Sequence, residues 1–195
     1  MFGDDLRVYG LFSVYIGRGD AGLTSLRRAL LDPMYDSGYG YLGGALMMLR
    51  RYPEAIAAYS DGAALASDRP GIYSSGTGLA QYLHRDFESA RSSCERVPED
   101  DANLLCLAIA YDKLGRHADA RDALAKVQAH DGNTGALAYS AIYAHWGKKT
   151  SALDWLEMAL HLRDPDLLQL NHPLYDPLRN EPRFQAVLRA LKFPD

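Results

Sequence analysis

The chain has 195 residues, 48 % hydrophobic and 24 % charged, a balance that argues against disorder and allows one sizeable core or one elongated array. Its net charge of −4 leaves no basic surplus for neutralising phosphates. The cations are scattered as Arg27-Arg28, Arg50-Arg51 and Lys148-Lys149, each beside a predicted turn or on a helix flank, so nucleic acid is not an expected partner.

Met1 to Leu11 carries Asp4, Asp5 and Arg7 and lacks the basic-then-apolar order of a signal peptide. The longest apolar run, Leu42 to Leu49, covers eight residues, against the roughly 20 needed to span a bilayer. No membrane partner is expected, and a cytoplasmic location is the default. The two cysteines, Cys94 and Cys106, form no CxxC and give neither a metal nor a disulfide signature. Both fall in predicted amphipathic helices, where small buried thiols suit a reducing compartment.

In chain order, the first predicted helix pair carries Leu6, Tyr9 and Gly10, a turn at Gly17-Arg18, then Gly22, Leu26 and Ala29. The second carries Tyr39, Leu42, Gly43 and Leu46, then Tyr52, Ala55, Tyr59 and Gly62. A weaker third runs through Ser74, Thr77 and Gly78, then Phe87, Ala90, Cys94 and Val97. The fourth is the most regular: Leu104, Leu107, Ala108 and Tyr111, a break at Gly115-Arg116, then Ala120, Leu124 and Val127. The fifth repeats it with Ala136, Tyr139, Ser140 and Tyr143, a turn at Gly147-Lys148, then Ala152, Leu156 and Ala159. Apolar residues three and four apart mark each helix, and Gly17, Gly115 and Gly147 stand where a helix ends in a left-handed residue. The units occupy approximately 3–35, 36–70, 71–100, 101–132 and 133–164.

A large apolar residue followed by a small one, an aromatic, then alanine and an aromatic or aliphatic residue in the second helix, resembles the tetratricopeptide repeat. Tyr52-Pro53-Glu54-Ala55-Ile56-Ala57-Ala58-Tyr59 and Gly115-Arg116-His117-Ala118-Asp119-Ala120 are similar to that family's turn and second helix. The resemblance covers residues 3 to 164. It departs from the family in lacking the early tryptophan in all five units and in keeping the unit-ending proline only at Pro33, Pro70 and Pro165. It implies an all-α fold: a right-handed α-solenoid of about five antiparallel helix pairs in a single domain over residues 1–195.

Residues 165–195 are expected to form a C-terminal cap, with Asn180 as N-cap, Pro182 in the first turn, and Phe184, Val187, Leu188 and Leu191 as an apolar stripe. Leu174-Tyr175-Asp176-Pro177-Leu178-Arg179 also resembles the tails that close such regions in bacterial signalling and regulatory proteins.

No residue cluster specifies a reaction, and no metal or cofactor is expected. Gly38-Tyr39-Gly40-Tyr41-Leu42-Gly43 satisfies GxGxxG, but it follows a predicted helix rather than a strand and carries the repeat's own residues. The six histidines show no metal-ligand spacing, and no GxSxG accompanies the serines. The resemblance places partner binding on first-helix residues of a concave face: Leu11, Val14, Tyr15, Met47, Met48, Leu79, Tyr82, Leu83 and Ile109. These are apolar, unlike the charged clamp of the family's chaperone-binding members. They suit a peptide or an amphipathic helix of another protein, or they simply pack on one another. The glycine-rich helices of the second and third units mark either a close approach by a ligand or neighbouring helix, or a less stable middle of the array. The chain is therefore read as a non-catalytic protein-interaction module, with a self-associating homodimer as the alternative.

Overall fold

The computed structural model describes residues 2–31, 38–65 and 70–191. Pro33, the first two residues of the second expected unit, residues 66–69 near its end and the last four residues of the expected cap lie outside these. The described residues form α-helices and short 3-10 turns with no strand, as the all-α expectation requires. Contacts divide the chain into two compact units, residues 1–106 and 107–195, with the boundary inside one helix.

The first unit holds α1 (Phe2–Tyr15), α2 (Gly19–Ala29), α3 (Gly38–Met48), α4 (Tyr52–Leu65), α5 (Pro70–Leu83), α6 (Phe87–Cys94) and the start of α7 (Asp101–Lys113). Helices adjacent in sequence pack together from α1 to α6, and α3 also touches both α1 and α5. α1, α3 and α5 thus form a row. Together with α2 and α4 it builds one core cluster of Leu23, Leu26, Leu42, Leu46, Met47, Tyr59 and Tyr73.

One turn recurs throughout. The amide of Arg18 donates to the Ser13 carbonyl at 2.7 Å and that of Gly17 to Val14 at 3.1 Å, which satisfies carbonyls left open at the end of α1. The same two bonds close α3 (Arg51 to Leu46, Arg50 to Met47), α5 (Asp86 to Gln81, Arg85 to Tyr82), α7 (Arg116 to Tyr111, Gly115 to Asp112) and α9 (Lys148 to Tyr143, Gly147 to Ala144). The left-handed residue is the expected glycine at Gly17, Gly115 and Gly147, with φ of 81°, 75° and 74°. At Arg50 and Arg85 an arginine adopts it, with φ of 58° and 71°.

Three crowded glycines of the first unit, Gly43, Gly62 and Gly76, lie against tyrosine rings. A Cβ on Gly43 would lie 2.7 Å from the Tyr59 ring, and one on Gly62 would lie 2.2 Å from that of Tyr73. Close approach by neighbouring helices is therefore the reason for glycine here. Cys94 and Cys106 are joined in a disulfide, which corrects the reading of two buried thiols. Both are fully buried. A Cβ on Gly78 would lie 2.1 Å from the Cys94 sulfur, so α5 presents bare backbone to the bond.

The second unit holds the rest of α7, α8 (His117–Asp131), α9 (Ala136–His145), α10 (Lys149–Leu162) and α11 (Pro182–Ala190). α9 packs on α10, and α10 on α11. α9 is apolar nearly all round because Ala136, Leu137, Tyr139, Ala141, Ile142 and Ala144 are all buried. α11 turns Phe184 and Val187 inward, while Arg183 binds Glu157 and Asp154 on α10 at 2.8 and 2.7 Å. Its N-cap is Glu181 rather than the expected Asn180, with Pro182 in the first turn.

Candidate interaction surface

A binding groove needs accessible side chains. Of the nine residues expected to line one, Val14, Met47, Tyr82 and Ile109 are buried. Val14 faces α2, where a Cβ on Gly22 would come within 2.6 Å of its Cγ2. Tyr82 stacks at a tilt on Phe87, with ring centroids 5.3 Å apart. Leu11, Met48, Leu79 and Leu83 are partly buried and pack against the first unit's core cluster. Tyr15 alone is exposed. The four buried residues serve as core, and the four partly buried ones lie along α1, α3 and α5 with one flank in that core.

Tyr15 belongs to a run of exposed apolar residues on the outer side of α1. Val8, Tyr9, Phe12, Tyr15 and Ile16 are between 41 and 59 % exposed. Their spacing is i, i+1, i+4, i+7, i+8, which puts them on one helical stripe. The opposite side of α1 carries the buried Gly10, Ser13 and Val14, and the Leu6 carbonyl there accepts a 2.9 Å bond from Ser25 of α2. α1 therefore has two apolar faces, one buried and one 41 to 59 % exposed.

The other odd helices show what this second face is shaped for. In register, Tyr9 corresponds to Leu42, Thr77 and Tyr139, all buried. Phe12 corresponds to Ala45, Ala80 and Ile142, each at most 1 % exposed. α3 packs against the preceding helices α1 and α2. The same positions on α1 carry large aromatic side chains that are more than half exposed.

No protein-family model matches the chain, and no curated protein matches it in sequence. The surface has to be interpreted from its own chemistry.

That chemistry is apolar, framed by charge. Asp5 is exposed at one end of the stripe and Arg18 at the other. Arg7 lies over the Tyr41 ring at 4.8 Å on the flank. Among the described residues no group of His, Cys, Asp or Glu is placed to hold a metal ion, and no helix is long and apolar enough to cross a membrane. The GxGxxG stretch lies inside α3, where Gly43 meets the Tyr59 ring. His117 is exposed and bonds Asp112 at 3.1 Å. His145 donates to the Leu174 carbonyl at 3.0 Å, and burial lowers its pKa to about 4.

The α1 stripe was present in the sequence as a second helical periodicity beside Leu6, Gly10 and Val14. Tyr9 was assigned to the core by analogy with Leu42 and Tyr139, and that assignment hid it.

Proposed function

We propose that the chain is a non-catalytic protein-interaction module of tetratricopeptide type, a right-handed array of about five helix pairs that takes an apolar helix on the outer face of α1. The observation that carries this reading is the exposure of Tyr9 and Phe12 at positions buried in α3, α5 and α9. An apolar stripe of this size, with charge at both ends, has the make-up of a recognition surface rather than of a solvated helix face. The partly buried row of Leu11, Met48, Leu79 and Leu83 adjoins the stripe through Tyr15 and would extend the contact. A docking role in a bacterial regulatory system is the setting that the family resemblance implies.

The cytoplasmic location belongs to this reading only if Cys94 and Cys106 are thiols in the cell, since reducing compartments keep most cysteines so. Differential alkylation of the native protein at harvest decides it.

The interaction is tested by affinity capture from native extract with the intact chain, its Tyr9→Glu/Phe12→Glu variant and its Leu79→Glu/Leu83→Glu variant. The α1 variant is expected to lose its partners while its helical circular dichroism is unchanged. Capture that survives the α1 variant but not the other would return the site to the partly buried row.

A further inference from the structure

Resting on that reading, we propose that the occupant of the α1 face is a second copy of this chain, its own α1 crossing antiparallel about a two-fold axis near Phe12. A symmetric interface requires one patch to be complementary to itself. The stripe has that property. Turning it end for end about Phe12 sets Val8 and Tyr9 of one copy opposite Tyr15 and Ile16 of the other. Asp5 lies near the start of α1, and Arg18 follows the turn that closes it, at the N-cap of α2. The same turn brings the acidic Asp5 end of each copy to the basic Arg18 end of its partner. Asp5 itself corresponds to positions held by Gly38, Tyr73 and Gly135, all buried. A carboxylate there gives the stripe an acidic end where the other odd helices have none.

The exposed area fits a weak dimer. Three rings about half exposed contribute roughly 100 Å² each, and with Val8 and Ile16 the stripe offers about 400–500 Å² per copy. Two copies would bury about 900 Å², below the roughly 1,200–2,000 Å² of standard stable interfaces and in the range of weak, transient ones. α11 shows the contrasting design of a closing helix: Phe184 and Val187 face inward, and Gln185, Ala186 and Arg189 face outward. The outer side of α1 is apolar instead, with Val8, Tyr9 and Phe12 more than half exposed.

Sedimentation equilibrium of the intact protein, from low to high micromolar concentration, tests the proposal. The apparent mass is expected to rise from 21.6 kDa towards twice that value. Phe12→Glu should hold the protein at the monomer mass. Asp5→Arg and Arg18→Asp, both exposed and distant from the core, should each weaken the dimer several-fold, and the double reversal should restore it. Three results would overturn the second copy: a monomer at every concentration, a dimer indifferent to Phe12→Glu, or a double reversal no tighter than the singles. A monomer that still captures another protein in a Phe12-dependent way removes only the second copy and leaves the interaction surface standing. A monomer with no Phe12-dependent capture removes both.

Discussion

A Cβ placed on Gly76 would lie 2.4 Å from Cε1 of Tyr59. The phenol ring of α4 rests on bare backbone of α5 on one side and on Gly43 of α3 on the other. Burial raises its pKa above the ordinary phenol value, as expected for a hydroxyl taken out of water. The ring cannot swing away without opening one of the two helix contacts. Three helices are thereby held together by one side chain and two glycines.

Gly76→Ala tests this directly, because helix propensity and packing make opposite predictions. Alanine is worth about 0.5–1 kcal/mol over glycine inside a helix. Overpacking a tight contact costs about 1–3 kcal/mol, and here the intruding methyl would meet a ring held on both sides. The variant is expected to be destabilised in urea denaturation. Tyr59→Leu should remove most of the penalty of Gly76→Ala, so the two effects combine non-additively in a double-mutant cycle. Strict additivity would mean that the ring does not restrict Gly76.

The disulfide makes a second prediction. Cys94 and Cys106 are 12 residues apart in sequence, ending α6 and lying within α7. Closing a loop of that length stabilises the folded state by about 3 kcal/mol in the chain-entropy account. The oxidised protein should show no reactive thiol under denaturing conditions, and reduction should lower its urea midpoint accordingly. Gly78→Ala should be more damaging in the oxidised form, where the new methyl would meet the Cys94 sulfur. Equal midpoints with and without reductant would leave the bond without a structural role.

His145 makes stability depend on pH in a defined window. Burial first, then the positive charge of Lys113, disfavour its charged form, while the bond to the Leu174 carbonyl and Asp176 favour it, leaving a folded pKa of about 4 against an ordinary 6.5. As pH falls below 6.5 the unfolded chain takes up a proton that the folded chain refuses. Stability therefore falls between about pH 6.5 and 4, by on the order of 3 kcal/mol in total, and this contribution is flat outside that range. Glu54 and Glu157, held below their ordinary range by Arg51 and Arg183, add their own loss only at lower pH. Urea denaturation between pH 6.5 and 5 isolates the histidine. His145→Gln, which keeps a donor for Leu174 but does not titrate, should flatten the slope there.

The turns show how much of the fold could be read in advance. Gly17, Gly115 and Gly147 announced their left-handed conformation because glycine adopts it without steric cost. Arg50 and Arg85 adopt the same conformation and close the same two hydrogen bonds, yet nothing in an arginine signals it. There the packing of the helix pair overrides local preference. The cysteines were opaque for a similar reason: only the approach of α6 to α7 brings two residues of unremarkable spacing into bonding distance. The α1 surface was hidden by the repeat itself. Tyr9 matches Leu42 and Tyr139 in register, and that position is core only when another helix pair lies in front of it. Periodicity reports which way a residue points; it does not report whether anything is there.

Neighbouring residues on α9 separate two kinds of buried hydroxyl. Tyr139 donates to the Gly132 carbonyl at 2.6 Å, with the Val127 carbonyl at 3.4 Å, and its ring meets Trp155 edge-on at 4.9 Å. Ser140 is equally buried, but its hydroxyl oxygen has no hydrogen-bond partner. A satisfied hydroxyl contributes about 1 kcal/mol net, whereas an unsatisfied one carries a desolvation cost of about 1–3 kcal/mol. Tyr139→Phe should therefore destabilise by about 1 kcal/mol, since it strips a bond from the carbonyl that follows α8 while keeping the ring contact. Ser140→Ala should be neutral or stabilising by up to about 1 kcal/mol, because it removes only the stranded oxygen and improves helix propensity. Chemical denaturation of the two single variants gives the comparison. A marked loss at Ser140→Ala would show that its hydroxyl finds a partner after all, the neighbouring-turn carbonyl of Ala136 being the nearest in helical register.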